Sequence, residues 1–327
     1  MLFVTLLFLT AQGQERQSEY IPVSQYWKEH NILQHLDVSI TLGTTGVGFD
    51  LASPIGDYLQ VRAGYAFMPH FHHNMTFGVQ VGEVNDDATF NRLSSLMESF
   101  TGYRADNKIE MIGEPTFNNA KFLVDVFPFK NNKHWHFTVG VYWGPSQVAE
   151  AYNRTEDMPS LLAVGIYNYL YEKAIIREPL VSIDFTGNGQ GFYFPDDPEI
   201  KDEIKDAFLS YGRMGVRVGN HVSDGSPYLM EPDENSMVKA KVKSNALKPY
   251  LGFGYGGRLF KNNDSYKVSF DCGAMFWGGT PSILTHDGTD LTKDVRDIGG
   301  KVGTYVNLIK KVKVFPVLNV RFTKTIF

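Results

Sequence analysis

The stretch Lys267–Phe276 reads KVSFDCGAMF, and its side chains alternate between two kinds. The even positions from Val268 to Phe276 are all apolar, whereas the odd positions include Lys267 and Asp271. Because successive side chains of a strand point to opposite faces, this alternation predicts a strand with one apolar and one polar face. The same pattern recurs in Tyr58–Phe67, in Met75–Val81, in Tyr250–Phe260 and in several other stretches, so the chain is predicted to be antiparallel β.

Periodicity alone does not separate a soluble sandwich from a membrane barrel. Two features of the strands favour the barrel. Several strands reach the roughly 9–11 residues that a tilted strand needs to cross a bilayer. The tight turns Ser53–Asp57, Pro128–Asn132 and Lys261–Asp264 alternate with long connections, as expected for two different barrel rims. We therefore predict an all-β fold, an antiparallel transmembrane β-barrel of about twelve strands with short helical inserts in its loops. That count includes two weaker strands, Gly215–Gly219 and Val238–Val242.

The N-terminus predicts secretion. Leu2–Leu9 is a short apolar run, and Ala11-Gln12-Gly13 is a small-x-small site, so residues 1–13 are interpreted as a signal peptide. The alternative is a buried N-terminal strand. No other apolar run reaches the ~20 residues of a membrane helix. The predicted organisation is a signal peptide over 1–13, a polar segment over 14–34 and a single β-barrel domain over 35–327.

Composition excludes some classes of function. The net charge of −5 argues against a nucleic-acid binder driven by basic charge. A single cysteine excludes an internal disulfide framework and a multi-cysteine metal site. There is no G-x-S-x-G nucleophile elbow, and the glycine-rich run at 252–257 lies inside an alternating strand rather than in a nucleotide loop. We expect neither an enzyme nor a cofactor.

The polar faces of the strands carry charges in mid-strand, which a barrel would direct into its lumen. The predicted lumen-facing residues are Arg62, Lys121, Asp125, Asp184, Arg217, Arg258, Lys267, Asp271 and Arg321. Two arrangements remain open. These charges line an aqueous channel, or the lumen is plugged by pairing of the charges or by helical inserts such as Asp86–Tyr103 and Met158–Ile176.

Three imidazoles fall within four residues at His70-Phe71-His72-His73, in the connection after the third strand. Such a cluster is a weak candidate for a transition-metal site formed by His70, His72 and His73. The alternative is an aromatic, polar rim loop without a ligand. We favour the loop, because no cysteine or carboxylate lies nearby in sequence to complete a site.

Five stretches carry a family resemblance: 42–65 (LGTTGVGFDLASPIGDYLQVRAGY), 122–144 (FLVDVFPFKNNKHWHFTVGVYWG), 248–257 (KPYLGFGYGG), 268–279 (VSFDCGAMFWGG) and 314–327 (VFPVLNVRFTKTIF). In them the chain resembles the uncharacterised outer-membrane β-barrel proteins of Bacteroidetes-type bacteria. The resemblance implies a barrel fold in the outer membrane of a Gram-negative bacterium and no catalytic residues. The final strand, which ends in the aromatic Phe327, looks like the signal that barrel-assembly machinery reads.

Three functions remain possible on this basis. The first is a non-enzymatic outer-membrane barrel, either a porin-like channel or a plugged structural or binding barrel. The second is a membrane-embedded enzyme at the barrel rim that hydrolyses lipid or peptide. The third is a secreted soluble β-barrel that binds a small apolar ligand. For the first function, the expected partners are outer-membrane lipid, the barrel-assembly machinery and an unidentified solute or extracellular ligand, with both termini in the periplasm and no nucleic acid bound.

Overall fold

The structure, a computed structural model, describes residues 23–29, 32–83, 86–175, 198–311 and 313–326. The predicted signal peptide, the strand expected around Asp184 and the terminal Phe327 lie outside these residues. The strands are β1 Asp37–Gly43, β2 Gly46–Ile55, β3 Leu59–Phe67, β4 His73–Val81, β5 Lys108–Pro115, β6 Asn119–Val126, β7 Trp135–Trp143, β8 Gln147–Asn153, β9 Met214–His221, β10 Pro227–Met230, β11 Lys239–Lys243, β12 Leu247–Phe260, β13 Asn263–Phe276, β14 Ser282–Thr285, β15 Val295–Arg296 and β16 Val314–Thr325. The helices are α1 Val23–Glu29, α2 Asp87–Thr101, α3 Met158–Ile175, α4 Pro198–Tyr211 and α5 Gly300–Lys311.

Eight strands close into an antiparallel barrel in the order β1-β16-β13-β12-β7-β6-β3-β2. The first and last strands close it, because β1 pairs with β2 on one side and with β16 on the other. Asp37, for example, lies opposite Ala52 on β2 and opposite Thr325 on β16. Every strand of the barrel therefore has two neighbours, and its backbone has no free edge.

The two ends of the barrel differ. At one end, here named the turn end, short connections at 56–58, 127–134 and 261–262 join the strands, and β1 begins and β16 ends there. At the other end, named the insert end, only the 44–45 turn is tight. Three long segments leave the barrel at the insert end, over 68–118, 144–246 and 277–313.

Those three segments build a second structure, named the insert domain. Its antiparallel sheet has the order β10-β9-β4-β5-β8-β11-β14, and β15 pairs with β9. Helices α2, α3 and α5 contribute to an apolar core under this sheet, which includes Phe90, Met111, Leu161, Val216 and Val306. The residues at the two ends of α2 explain where this helix begins and ends. The Asp86 carboxylate caps the first turn through the backbone N–H groups of Ala88 and Thr89, and Gly102 ends the helix in the left-handed conformation with φ of 75°.

The prediction of one barrel of about twelve strands differs from the structure, in which eight strands close the barrel. The stretches expected as barrel strands at Met75–Val81, Gly215–Gly219 and Val238–Val242 belong instead to the insert sheet, as parts of β4 and β9 and beside β11. Alternation of side chains reveals a strand but not its partner, so the sequence could not divide the strands between two sheets.

The expected helices are present at α2 and α3, but they pack in the core of the insert domain. Neither helix contributes to the apolar cluster that lies within and above the barrel. Among the described residues, no helix is long and apolar enough to cross a membrane.

Candidate functional site

The outward-facing side chains of the barrel strands are mostly apolar, and together they are named the belt. Alternation along β13 shows its origin, since Phe270 is 53% exposed whereas its neighbour Asp271 is 4% exposed. The same phase holds on the other strands of the barrel. Exposed belt residues are Ile40, Leu42, Phe49, Leu51, Leu59, Tyr65, Phe67, Phe122, Trp135, Phe137, Val139, Trp143, Leu251, Phe253, Tyr255, Phe270, Phe276, Leu318 and Phe322.

Charged side chains fill the middle of the lumen and pair with one another. Arg62 Nη2 donates to Asp125 Oδ1 at 2.9 Å, and Arg321 Nη1 donates to the other oxygen of Asp125 at 3.2 Å. Asp271 lies between the same cations, with its Oδ2 atom 3.2 Å from Arg321 Nε and 3.8 Å from Arg62 Nη1. His136 Nε2 is 2.7 Å from Asp271 Oδ1. This arrangement, named the lumen network, is a set of mutually paired charges.

A second ion pair extends the lumen network toward β1 and β2. Lys121 Nζ donates to Asp50 Oδ2 at 2.9 Å and to Thr41 Oγ1 at 3.1 Å. All three side chains are buried. Lys121 therefore has a charged partner and a hydroxyl partner inside the lumen.

Glycine makes room for the lumen network. Gly254 lies on β12 opposite His136 and Asp271, and a methyl group built on it would overlap the atoms of both side chains. The glycine-rich run at 252–257 lies in β12, as the sequence predicted, and its Phe253 and Tyr255 side chains belong to the belt. The glycines of this run therefore leave room for the crowded side chains of the lumen, and the aromatic residues between them cover the outside of the barrel.

Toward the insert end, apolar and aromatic side chains overlap the upper part of the lumen network and fill the lumen above it. This layer consists of Phe117, Leu123, Tyr142, Val148, Tyr250, Met275, Trp277 and Val317. On β6, Leu123 lies between Lys121 and Asp125 of the network, and Tyr142 on β7 is paired with Lys121. Lys248 lies at the same level, with Nζ 3.1 Å from Asn119 Oδ1 and 5.6 Å from the centroid of the Phe117 ring. Side chains thus occupy the lumen from its middle to the insert end.

At the turn end the lumen opens into a cavity of about 440 Å³. Its wall includes five cations, Lys130, Lys133, Arg258, Lys267 and Arg321. Among the described residues that line it, Asp37 is the one carboxylate. Four of the cations have carboxylate partners. Lys130 pairs with Asp57 at 2.6 Å and Arg258 with Asp264 at 2.7 Å. Arg321 belongs to the lumen network, and Lys267 Nζ is 3.8 Å from Asp37.

The nine charges expected in the lumen have different locations in the structure. Arg62, Lys121, Asp125, Asp271 and Arg321 meet in the lumen network. Lys267 and Arg258 line the turn-end cavity, and Lys267 Nζ is 3.8 Å from Asp37. Arg217 lies on β9, which pairs with β4, β10 and β15, so it is in the insert domain and outside the barrel. Asp184 lies outside the described residues.

The histidine cluster meets a carboxylate that is distant in sequence. His70 Nδ1 makes a short hydrogen bond to Glu114, and His72 Nε2 is 3.9 Å from the same side chain. The hydrogen bond from His70 holds the pKa of Glu114 below its usual range. His73 turns away and contacts Tyr305, whose hydroxyl is 3.1 Å from His73 Nε2. Within the described ranges, no group of three or more His, Cys, Asp or Glu side chains is arranged to hold a metal ion.

Sequence reasoning missed two members of the lumen network, Asp50 and His136. Asp50 lies between Phe49 and Leu51 of the belt, so alternation alone could have found it. The contact of His136 with Asp271 joins residues 135 positions apart, and no local pattern predicts such a pair.

Comparisons with known proteins give distant likenesses. No family model and no curated protein matches the chain. Two crystal structures from Acinetobacter baumannii are similar, those of CarO2 and CarO. Each shares 15% sequence identity with the chain at a TM-score of 0.37, over 89% of this chain and 98% of the other. These values are too low to carry an argument about function, and the resemblance to Bacteroidetes-type barrels stays a prediction.

Proposed function

We propose that this protein is a non-enzymatic outer-membrane β-barrel with a closed lumen, which anchors the insert domain as a binding module at the cell surface. The observation that carries this proposal is the belt. A closed barrel with apolar side chains outside and paired charges inside is the arrangement that lipid requires.

Lipid explains the belt better than water does. Soluble monomers rarely expose contiguous apolar patches of more than a few hundred Å². The belt instead surrounds the barrel, with Trp143 near the insert end and Trp135 near the turn end. Aromatic side chains at both levels are typical of girdles at the two membrane interfaces. Strands β2, β3 and β7 have ten, nine and nine residues, which fits the roughly 9–11 needed to cross a bilayer.

The filled lumen favours binding over conduction. Eight strands enclose an interior that side chains can fill, in contrast to the channels of 16- to 18-stranded porins. Here the lumen network and the apolar layer above it occupy that interior. A solute would have to separate buried ion pairs and displace Tyr142, Tyr250 and Met275 to pass. Between the channel and the plug, we therefore favour the plug, formed by side chains of the barrel.

The orientation follows from the connections. Barrels of bacterial outer membranes have short turns in the periplasm and longer loops outside. We therefore propose that the turn end is periplasmic, with both termini of the barrel, and that the insert domain is extracellular. The proposed partners are outer-membrane lipid and, through the final strand, the barrel-assembly machinery.

The proposal is tested by refolding the purified protein into lipid vesicles and into planar bilayers. We expect a band on unheated gels that shifts on boiling, fluorescence of Trp135 and Trp143 quenched by brominated lipid, and no current under conditions in which a porin conducts. Steady single-channel current would overturn the closed lumen. A protein that stays monomeric in solution without detergent, with no quenching by lipid, would overturn the membrane barrel and favour the secreted β-protein.

A further inference from the structure

A cavity of about 470 Å³ lies between the insert sheet and α5. Its walls are largely apolar and come from β4, β5, β8, β9, β10, β11, β14 and α5. The volume falls within the roughly 300–1,000 Å³ that is usual for ligand sites. Because the cavity is outside the barrel, the closed lumen does not account for it.

The floor of the cavity is a row of small residues in register on three neighbouring strands. Gly113 on β5 lies opposite Ala151 on β8, and Ala151 lies opposite Ala240 on β11. The Met75 side chain covers Gly113, because a methyl group built on that glycine would lie 3.1 Å from Met75 Cε. The uncovered part of the row therefore runs over Ala151 and Ala240, on neighbouring strands about 4.8 Å apart. The adjacent row, with Ala149 and Val242, is also apolar. The uncovered floor of the cavity is therefore narrow, and it is named the trough.

The roof of the cavity is one face of α5. Val302, Val306 and Ile309 recur at helical spacing on that face and line the cavity. Val306 is buried in the core of the insert domain, whereas Val302 and Ile309 are only partly buried. Small floor residues and partly buried roof residues together leave apolar surface that a bound apolar group would cover.

The mouth of the cavity is polar and lies near the barrel rim. Phe71, His72 and His73 line it together with Tyr305, whose hydroxyl is 3.1 Å from His73 Nε2. Phe71 is four residues after Phe67, the last residue of β3, and so lies within about 14 Å of the belt.

Two carboxylates, Glu114 and Glu150, also belong to the lining of the cavity, and both have partners. Glu114 accepts a hydrogen bond from the Tyr152 hydroxyl at 3.2 Å and lies 3.9 Å from His72 Nε2 at the mouth. Glu150 accepts a hydrogen bond from Gln147 at 2.8 Å. The rest of the lining is mostly apolar. The cavity therefore offers a largely apolar interior and hydrogen-bonding groups at its mouth.

We propose that this cavity binds the hydrocarbon chain of a single-chain amphiphile, a free fatty acid or a lysolipid. The chain lies in the trough under α5, and the polar head stays at the mouth beside His73 and Tyr305. A linear chain fits the narrow strip over Ala151 and Ala240, beside Met75. The inference rests on the proposed binding role of the insert domain and gives that role a ligand class.

The test uses the full-length protein in phospholipid vesicles and the fluorescent fatty acid cis-parinaric acid as the probe, with empty vesicles as the baseline. We expect saturable binding at one site per chain. Ala151→Leu and Ala240→Leu fill the trough from two different strands and should each weaken binding by about tenfold or more. Lys241→Gln changes an exposed side chain of β11 that does not line the cavity, and it should leave binding unchanged.

Each variant is first shown to retain the heat-modifiable band and the circular dichroism spectrum of the parent protein. Competition by palmitate or by lysophosphatidylcholine then distinguishes the two sources of the chain. The proposal is overturned if the parent protein binds no more probe than empty vesicles do, or if folded trough variants bind as the parent does. A heat-modifiable, non-conducting protein that fails to bind would overturn only this inference and leave the proposed barrel intact.

Discussion

The barrel and the insert domain bury opposite kinds of side chain. In the barrel, Phe253 and Phe270 are exposed while Asp125 and Arg62 are almost completely buried. In the insert domain, Leu161 and Val216 are fully buried, and charged residues such as Lys241 and Glu234 are exposed. Both regions follow the same rule of alternation, so the difference between them is the one expected if lipid surrounds the barrel, as proposed, and water surrounds the insert domain.

The two regions also satisfy their charges differently. In the barrel, Asp125 has two arginine partners and a hydroxyl donor and is shielded from water. In the insert domain, the pair between Arg154 and Glu110 is about 40% exposed on each side. Buried pairs are costly to break because the remaining charge is stranded, whereas exposed pairs contribute little. The comparison therefore predicts different responses to similar substitutions.

Removing the central carboxylate of the lumen network should have the largest effect. Asp125→Ala leaves Arg62 and Arg321 buried with only part of their pairing, and we expect a loss of about 3–5 kcal/mol in the free energy of unfolding. The measurement is a urea titration of the refolded protein, followed by the loss of the heat-modifiable band. Glu110→Gln in the insert domain is the control and should change stability by no more than the experimental error. Equal losses of stability for the two variants would contradict the difference inferred between the buried charge pairs of the barrel and the exposed pairs of the insert domain.

A charge on the belt should have the next largest effect. Phe253 lies in the middle of β12. If the barrel spans a bilayer as proposed, Phe253→Arg would carry a guanidinium to the bilayer centre, at a cost of roughly 2–4 kcal/mol. Leu96→Arg is the matched control on the exposed face of α2, where a surface substitution should stay within about ±0.5 kcal/mol. Both are measured by unfolding in vesicles. A belt variant as stable as its control would contradict contact between Phe253 and lipid.

Acid should weaken the insert domain by a smaller amount. Burial raises the pKa of Asp287, but hydrogen bonds from Thr285, from the Thr289 backbone and from Tyr228 outweigh it and hold that pKa below the usual range. A lowered native pKa means that the stabilisation is present above the pKa of the unfolded chain, and it is lost as the pH falls through the native value.

We therefore expect the insert domain to lose stability below about pH 4, and Asp287→Asn to flatten this dependence. The measurement is insert-domain unfolding by circular dichroism across the acid range. Glu234→Gln, a change at an exposed carboxylate, serves as the control. An unchanged pH profile for Asp287→Asn would show that the hydrogen bonds around Asp287 do not govern the response.

The sequence predicts where the strands lie in the chain and which side chains of a strand share a face. It does not predict which strands pair with one another. The alternation in KVSFDCGAMF gave the correct outer face for Phe270 and Phe276 and the correct inner face for Asp271. The helical spacing around Phe90 and Leu93 likewise predicted α2. Which strand lies beside which depends on contacts between distant residues, so β4 and β9 could not be separated from the barrel in advance.

For the candidate sites too, the face of a side chain could be predicted from the sequence, whereas contacts between distant residues could not. A charged side chain in the middle of a strand with one apolar face is expected on the opposite, polar face, which a barrel directs into its lumen. This reasoning predicted the lumen location of Arg62, Asp125, Asp271 and Arg321. Their mutual pairing depends on four different strands meeting across the lumen. The row of Gly113, Ala151 and Ala240 carries no local signal, because small residues in separate strands become a trough only through register.

The seam between β1 and β16 has a consequence for the order of assembly. The Thr325 hydroxyl donates to Asp37 at 2.5 Å across 288 positions of the chain, so the barrel closes only when β16 is available to pair with β1. Until then β1 and β13 each lack a neighbour, and exposed strand edges invite pairing with other chains. Closure over such long separations is slow because the entropy of the intervening chain is lost before the contacts form. We expect the time spent with this seam open to be the period in which the protein is most vulnerable to aggregation.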